Sequence, residues 1–231
     1  MNPLSPPYPP TTEPHTSVVT PITSSLVVPP IPVPTHGAGG HFTVISKTII
    51  SAAPAEVLSL IRDTNTWSSW NTFCPSCVIT KTFKDQECTD VNVPTGKEGW
   101  LDLGTEATID VFMDGDGLVE GRKRSRTQGL CITRLERIEE EGKRGYRIAW
   151  KGTGWSHWQL RSERVMEMVE VDGEGGGIKT DYVCWETFGG ILGPMIKMIV
   201  GSQLVDRFGD YSRDLRQYFE GRKKGVQNGR A

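Results

Sequence analysis

Cys74 and Cys77 bracket Pro-Ser inside the run TWSSWNTFCPSC, and that spacing belongs to redox dithiols and to one half of a zinc site. The neighbours do not support either chemistry. A reactive dithiol needs its first thiolate at a helix N-terminus, whereas here a helical pattern precedes the pair and the β-rich CVITKTF follows it. A zinc site needs two further ligands. Cys88, Cys131 and Cys184 form no second pair, His15 and His36 fall in a proline-rich segment, and His41 and His157 stand alone. We therefore assign no metal and no cofactor, and read the thiols as packing residues. The second chemical candidate is Glu186, a carboxylate between Cys184 and Phe188 on an apolar strand face. So placed, it is a candidate catalytic acid or base; a buried ion pair with Arg164 or Arg147 is the structural alternative, and the one we favour. Tyr182 and His157 are further polar candidates. The chain has no HExxH, no phosphate-binding glycine loop and no Ser-His-Asp order. DGDG at Asp114 to Gly117 lacks the spaced carboxylates of a calcium loop and reads as a turn.

The elements that must hold these residues are legible from periodicity. His41 to Ser51 is rich in β-branched residues and reads as a strand; AAPAEVLSLIRDT then starts a helix with Pro54 in its first turn, and a second short helical turn carries Trp67 and Trp70. Strands are expected over Cys77 to Phe83, Gly99 to Met113, Thr127 to Glu139, Gly145 to Thr153, His157 to Val171 and Ile178 to Phe188, with EEEGKRG and DGEGGG as hairpin turns. Ile191 to about Glu220 reads as one long helix. The fold class is thus α+β: a seven-stranded antiparallel sheet wrapped around a long C-terminal helix, with two short helices after the first strand. One amphipathic helix laid across a twisted sheet leaves a gap between them, and that gap is the expected cavity.

Alternation places Leu101, Leu103, Ala107, Ile109, Val111 and Met113 on one strand face, and Tyr146, Ile148 and Trp150 on another. Tyr182, Cys184, Glu186 and Phe188 share the inner face of the last strand. In the helix, Met195, Met198, Ile199, Leu204, Val205 and Phe208 spread almost all round the first half, whereas Leu215 and Phe219 form a stripe near the end. Core packing is the ordinary role of such aliphatic residues. Methionines also suit a pocket that adapts to irregular ligands.

Composition narrows the function classes. With 231 residues and a formal charge of -2, the chain holds one sizeable domain and lacks the basic excess of a nucleic-acid binder. The run Arg122, Lys123, Arg124, Arg126 adjoins Asp114, Asp116 and Glu120 and reads as a solvated loop. Residues 1–40 hold eleven of the fifteen prolines and no Lys or Arg, so we expect a disordered tail there, a domain over 41–222 and a flexible C-terminus over 223–231. The tail resembles neither a secretory signal nor a mitochondrial presequence, and its prolines interrupt SLVVPPIPVP as a membrane helix. An odd number of cysteines without framework spacing suits reduced thiols, so a cytoplasmic setting is expected.

The segments APAEVLSLIRDTNTWSSWNTFCP, YRIAW and TDYVCWETFGGILGP, followed by the long helix, resemble the START-like helix-grip superfamily (SRPBCC), in particular its polyketide cyclase/dehydrase and coenzyme-Q-binding-type branch. The resemblance spans about Phe42 to Glu220. It implies a hydrophobic or aromatic small molecule, such as a lipid, quinone or polyketide-like metabolite, held between sheet and helix. Trp67, Trp70 and Phe73 would form the pocket lip, joined by Leu101, Leu103, Ile109, Val111, Met113, Tyr146, Ile148, Trp150, Tyr182, Cys184 and Phe188 from the strands and by Met195, Met198, Ile199, Leu204 and Phe208 from the helix. The partner would be that small molecule, with no nucleic acid and no transmembrane segment. Sparse polar machinery favours a non-catalytic carrier. The alternatives are a cyclase or dehydratase using Glu186, and a coenzyme Q chaperone, against which the absence of a presequence argues.

Overall fold

The computed structural model describes residues 24–82, 95–124, 126–140, 142–173 and 176–228, with side chains described as far as residue 221. Eight strands form one antiparallel sheet: β1 (Ser24–Val28), β2 (Phe42–Ile50), β3 (Ser76–Lys81), β4 (Glu106–Val111), β5 (Arg126–Glu140), β6 (Lys143–Thr153), β7 (Arg161–Asp172) and β8 (Ile178–Gly189). Their order across the sheet is β1-β2-β8-β7-β6-β5-β4-β3. Helix α1 (Pro54–Arg62) and a 3-10 helix (Thr64–Ser69) follow β2, and α2 (Gly193–Asn228) closes the chain. This is a helix-grip arrangement, with one strand more than expected.

The extra strand corrects the sequence reading. We expected a tail through residue 40, yet β1 pairs with β2 from Ser24↔Lys47 to Val28↔Thr43. The chain then crosses the outer face of the sheet, where Ile31 and Val33 pack with Ile45, Ala149, Val165, Val183 and Trp185. Thr35 fixes this strap: its N–H and its hydroxyl each donate to the Glu163 carboxylate, at 2.7 and 2.8 Å. Prolines are compatible with this path because β1 is an edge strand that ends before Pro29, so no interior ladder bond is lost. Residues 1–23 lie outside the described residues.

Other boundaries also move. The strand expected over Gly99 to Met113 shortens to β4, because Leu101 N–H and C=O are taken by the buried Arg62: by its carbonyl at 3.0 Å and by its Nε at 3.1 Å. The strand expected from His157 starts only at Arg161, after a turn through Trp155 and Trp158. Phe83, the expected end of β3, and Cys88 lie outside the described residues. The last helix continues past Glu220 to Asn228, through part of the segment expected to be flexible.

Local chemistry explains the helical starts. Pro54 occupies the first turn of α1 and the Glu56 carboxylate accepts the Ala53 N–H at 3.1 Å, satisfying one free donor. Val57, Leu58 and Ile61 are buried on one face of α1. Thr72 then ties the 3-10 region to α2, donating from its N–H (2.9 Å) and its hydroxyl (2.6 Å) to Asp214 Oδ2. The hairpin β5–β6 turns through Gly142 at φ 79°, a conformation that favours glycine.

Candidate functional site

The inner face of the sheet is built by register. Arg164 on β7 stands directly opposite Glu186 on β8, and Trp150 on β6 stands opposite Arg164. Arg164 donates from Nε and Nη2 to Glu186 Oε2, at 3.0 and 2.9 Å, and both side chains are buried. This is the ion pair favoured from the sequence. Arg147, the other candidate, pairs instead with Glu136 and Glu167.

Aromatic rings cage the pair. The Arg164 guanidinium carbon lies 4.3 Å from the Phe208 ring centre, 5.3 Å from Phe73, 5.7 Å from Trp150 and 5.9 Å from Tyr211. Burial alone would make the guanidinium easier to deprotonate. The Glu186 carboxylate outweighs that effect and holds Arg164 above its ordinary value. The charge is therefore fixed within an apolar shell.

Next to this pair are polar atoms without partners. Tyr182 and Tyr211 are fully buried; the Tyr211 hydroxyl has no hydrogen-bond partner among the described residues, and the Tyr182 hydroxyl has no oxygen or nitrogen partner there, only the sulfur of Cys184 nearby. The Cys184 thiol, a weak partner, shares the Tyr182 face of β8. Burial pushes both phenols well above the ordinary range, so they are donors at any physiological pH. Asn71 Nδ2 is likewise buried and unpartnered, while its Oδ1 accepts the Cys74 N–H at 2.8 Å. Asn71 lies between Trp70, which meets the Tyr211 ring edge-on at 5.3 Å, and Thr72, which binds Asp214. A buried donor left unpaired costs about 1–3 kcal/mol. Three of them in one region form a set of donors ready for an acceptor.

The thiols do not supply reactivity. Burial pushes Cys74 and Cys77 up to about 12 and Cys184 up to about 11, so at neutral pH they are protonated.

Most residues expected at the pocket converge. Trp67, Trp70, Phe73, Leu101, Ile109, Val111, Met113, Ile148, Trp150, Tyr182, Cys184, Phe188, Leu204 and Phe208 belong to one buried cluster, with Leu103 and Tyr146 packed against it. Phe188 stacks on Phe42 at 4.9 Å. Three helix residues do not converge. Met195, Met198 and Ile199 are 44%, 81% and 61% exposed, because the stripe Ile196, Val200 and Leu204 is the one turned to the core. An apolar pattern that runs all round a helix cannot say which side is buried. Tyr211 and Asn71 were missed; the spacing Phe208, Tyr211, Leu215, Phe219 was the available signal for the first.

A shallow cleft of about 420 Å³ opens elsewhere, between α1, the Trp100 loop and the last turns of α2 near Tyr218 and Phe219. None of the expected pocket residues lines it.

Comparison with known proteins places this arrangement. No family model matches the chain. A curated relative from Penicillium oxalicum, "Oxopyrrolidines biosynthesis cluster protein O", is 29% identical over 198 residues, covering 83% of this chain and 92% of the relative. Among solved structures, hypothetical protein jhp0584 from Helicobacter pylori aligns with TM-score 0.51 at 12% identity, covering 75% of this chain and 85% of that one. That likeness is one of fold. A START superfamily protein from Mycobacterium smegmatis aligns at TM-score 0.45 and 14% identity over 78% of this chain and 97% of that one, too loosely to weigh. The shared feature is the helix-grip arrangement of an antiparallel sheet with a long C-terminal helix.

Proposed function

We propose that the protein binds a hydrophobic small molecule carrying a carbonyl or enol oxygen, in the interior between the sheet and α2, as a carrier and not as a catalyst. The observation that carries this reading is the set of orphaned donors in the interior: the buried hydroxyls of Tyr182 and of Tyr211, whose ring lies 5.9 Å from the Arg164 guanidinium, and the buried Asn71 amide. Phenol and amide donors match a carbonyl acceptor, and the surrounding Phe73, Trp150, Leu204 and Phe208 match an apolar body. Binding would require the close-packed interior to open, and α2 is the element that covers it. The Penicillium relative's name points to a biosynthetic cluster for oxopyrrolidines. A secondary-metabolite intermediate of that chemical kind, with a ring carbonyl, is therefore the ligand class we favour over a lipid or quinone.

The carrier reading is preferred to a cyclase or dehydratase because the one inner-face carboxylate, Glu186, is engaged by two guanidinium N–H donors on a single oxygen. A residue so held contributes to the architecture of the site. The test is purification from the native host, followed by native mass spectrometry and extraction of the bound compound. A stoichiometric carbonyl-bearing adduct is the expected result, and Leu204→Trp, which fills the interior from α2, should remove it. Product formation from the extracted compound that disappears in Glu186→Gln while binding persists would replace the carrier with the enzyme.

A further inference from the structure

Six large apolar side chains gather outside the core at one end of the molecule. Trp155 and Trp158 are each 60% exposed on the turn between β6 and β7, and Ile191 is 66% exposed just before α2. The two segments are joined: Ile191 N–H donates to the Trp158 carbonyl and Leu192 N–H to the Gln159 carbonyl, both at 3.0 Å. Met195, Met198 and Ile199 continue the same surface along α2 at helical spacings of three and four. A folded chain of this size rarely leaves such a contiguous surface without a partner.

The two segments that carry this surface hold cations and no acid of their own. From Lys151 to Ser162 the chain carries Lys151, His157 and Arg161 and no acid; from Thr187 to Val205 it carries Lys197 and no acid. The acid found against this stretch of α2 is Asp114, which accepts from Gln203 Nε2 at 3.2 Å, beyond Ile199. Exposed tryptophans with methionine and isoleucine, rimmed by cations, match the boundary between anionic headgroups and acyl chains. We propose that this face docks the protein on an anionic lipid bilayer, as a peripheral contact through Trp155, Trp158, Ile191, Met195, Met198 and Ile199, with Lys197 and Arg161 at the headgroups. The contact needs no transmembrane element, and no described helix is long and apolar enough to be one. It does not rest on the small-molecule reading, since the surface lies outside the core.

The test is co-sedimentation of the full chain with vesicles of phosphatidylcholine alone and of phosphatidylcholine with about one third phosphatidylserine. Partition should be several-fold stronger on the anionic vesicles and weaken with added salt. Trp158→Ser with Met198→Ser should cut partition by about ten-fold on both vesicle types while leaving Tm unchanged, because both side chains are exposed. Ile199→Ser is the second variant, in case the pair disturbs folding. Lys197→Glu should reduce binding to the anionic vesicles by about five-fold or more and spare the neutral ones. No partition on either vesicle, or partition untouched by these substitutions, overturns the proposal. So does a self-associated species in sedimentation velocity that Trp158→Ser with Met198→Ser disperses, since a second copy would then be what covers the face.

Discussion

The two parts of α2 that meet at Phe208 have opposite fates. From Phe208 onward, Phe208, Tyr211, Leu215 and Phe219 form a single buried stripe against the sheet. Before Phe208, Met195, Met198 and Ile199 face solvent, whereas Ile196, Val200, Leu204 and Val205 turn to the core. Anchoring separates the two. The part from Phe208 onward is tied by Thr72 to Asp214 and by the Ser212 hydroxyl, 2.7 Å from that of Ser46 on β2, whereas the earlier part makes the exposed hydrogen bond Gln203 Nε2 to Asp114 Oδ1 at 3.2 Å. Phe208, over the Arg164 guanidinium, marks the change. One part secures the fold, and the other is free to meet something else.

The largest effects should come from the buried side of that boundary. Arg164→Ala strands the Glu186 carboxylate in the interior, and Glu186→Ala strands the guanidinium; each should cost about 3–5 kcal/mol in denaturant unfolding. Leu215→Ala should cost about 2–5 kcal/mol by opening a cavity. Met198→Ala, in the other part, should stay within about 0.5 kcal/mol of wild type. Equal losses for Leu215→Ala and Met198→Ala would dissolve the distinction between the parts.

The thiols sharpen the same contrast chemically. Cys74 and Cys184, beneath the buried part, should resist alkylation near neutral pH in the native protein and react fully once it is unfolded, as read by mass spectrometry of the labelled chain. Rapid native labelling of both would show that the interior opens readily.

The smallest effect concerns the strap at the exposed end. The His36 ring lies 5.0 Å from that of His157, and burial lowers its pKa below 6.5 despite Glu163, with His157, Arg161 and Lys151 pushing the same way as burial. The unfolded chain therefore binds a proton at this residue more readily than the folded one. Stability is fully present above about pH 6.5 and declines as the pH falls from there through the lower folded value. His36→Gln should flatten the loss of Tm between about pH 7 and about pH 5. A slope identical to wild type would remove His36 from the account.

Much of the scaffold was legible in the sequence, and the reasons are local. The hairpins β5–β6 and β7–β8 follow from alternation bounded by Glu-Gly and Gly-rich turns, and the inner face of β8 follows from a period of two. The Arg164–Glu186 pair needed the register as well, which alternation narrows but does not fix. Strap and edge strand were hidden because proline richness masks short apolar runs such as LVV and IPV. Tyr182 was placed on the correct face, but an orphaned hydroxyl is a property of packing, with no signature in sequence. The exposure of Met198 was unreadable for the opposite reason: apolar residues spread almost all round its part of α2.

The carrier proposal turns on whether the Tyr182 and Tyr211 hydroxyls are unpaired in the empty protein. The measurement is the Tm of ligand-stripped wild type beside that of the double variant Tyr182→Phe with Tyr211→Phe. Removing the two buried hydroxyls should leave Tm unchanged or raise it by a few degrees, because their desolvation cost disappears and no hydrogen bond to oxygen or nitrogen is lost. A double variant that melts several degrees below wild type would mean that the hydroxyls are bonded within the fold, which would contradict the proposal that they await a ligand.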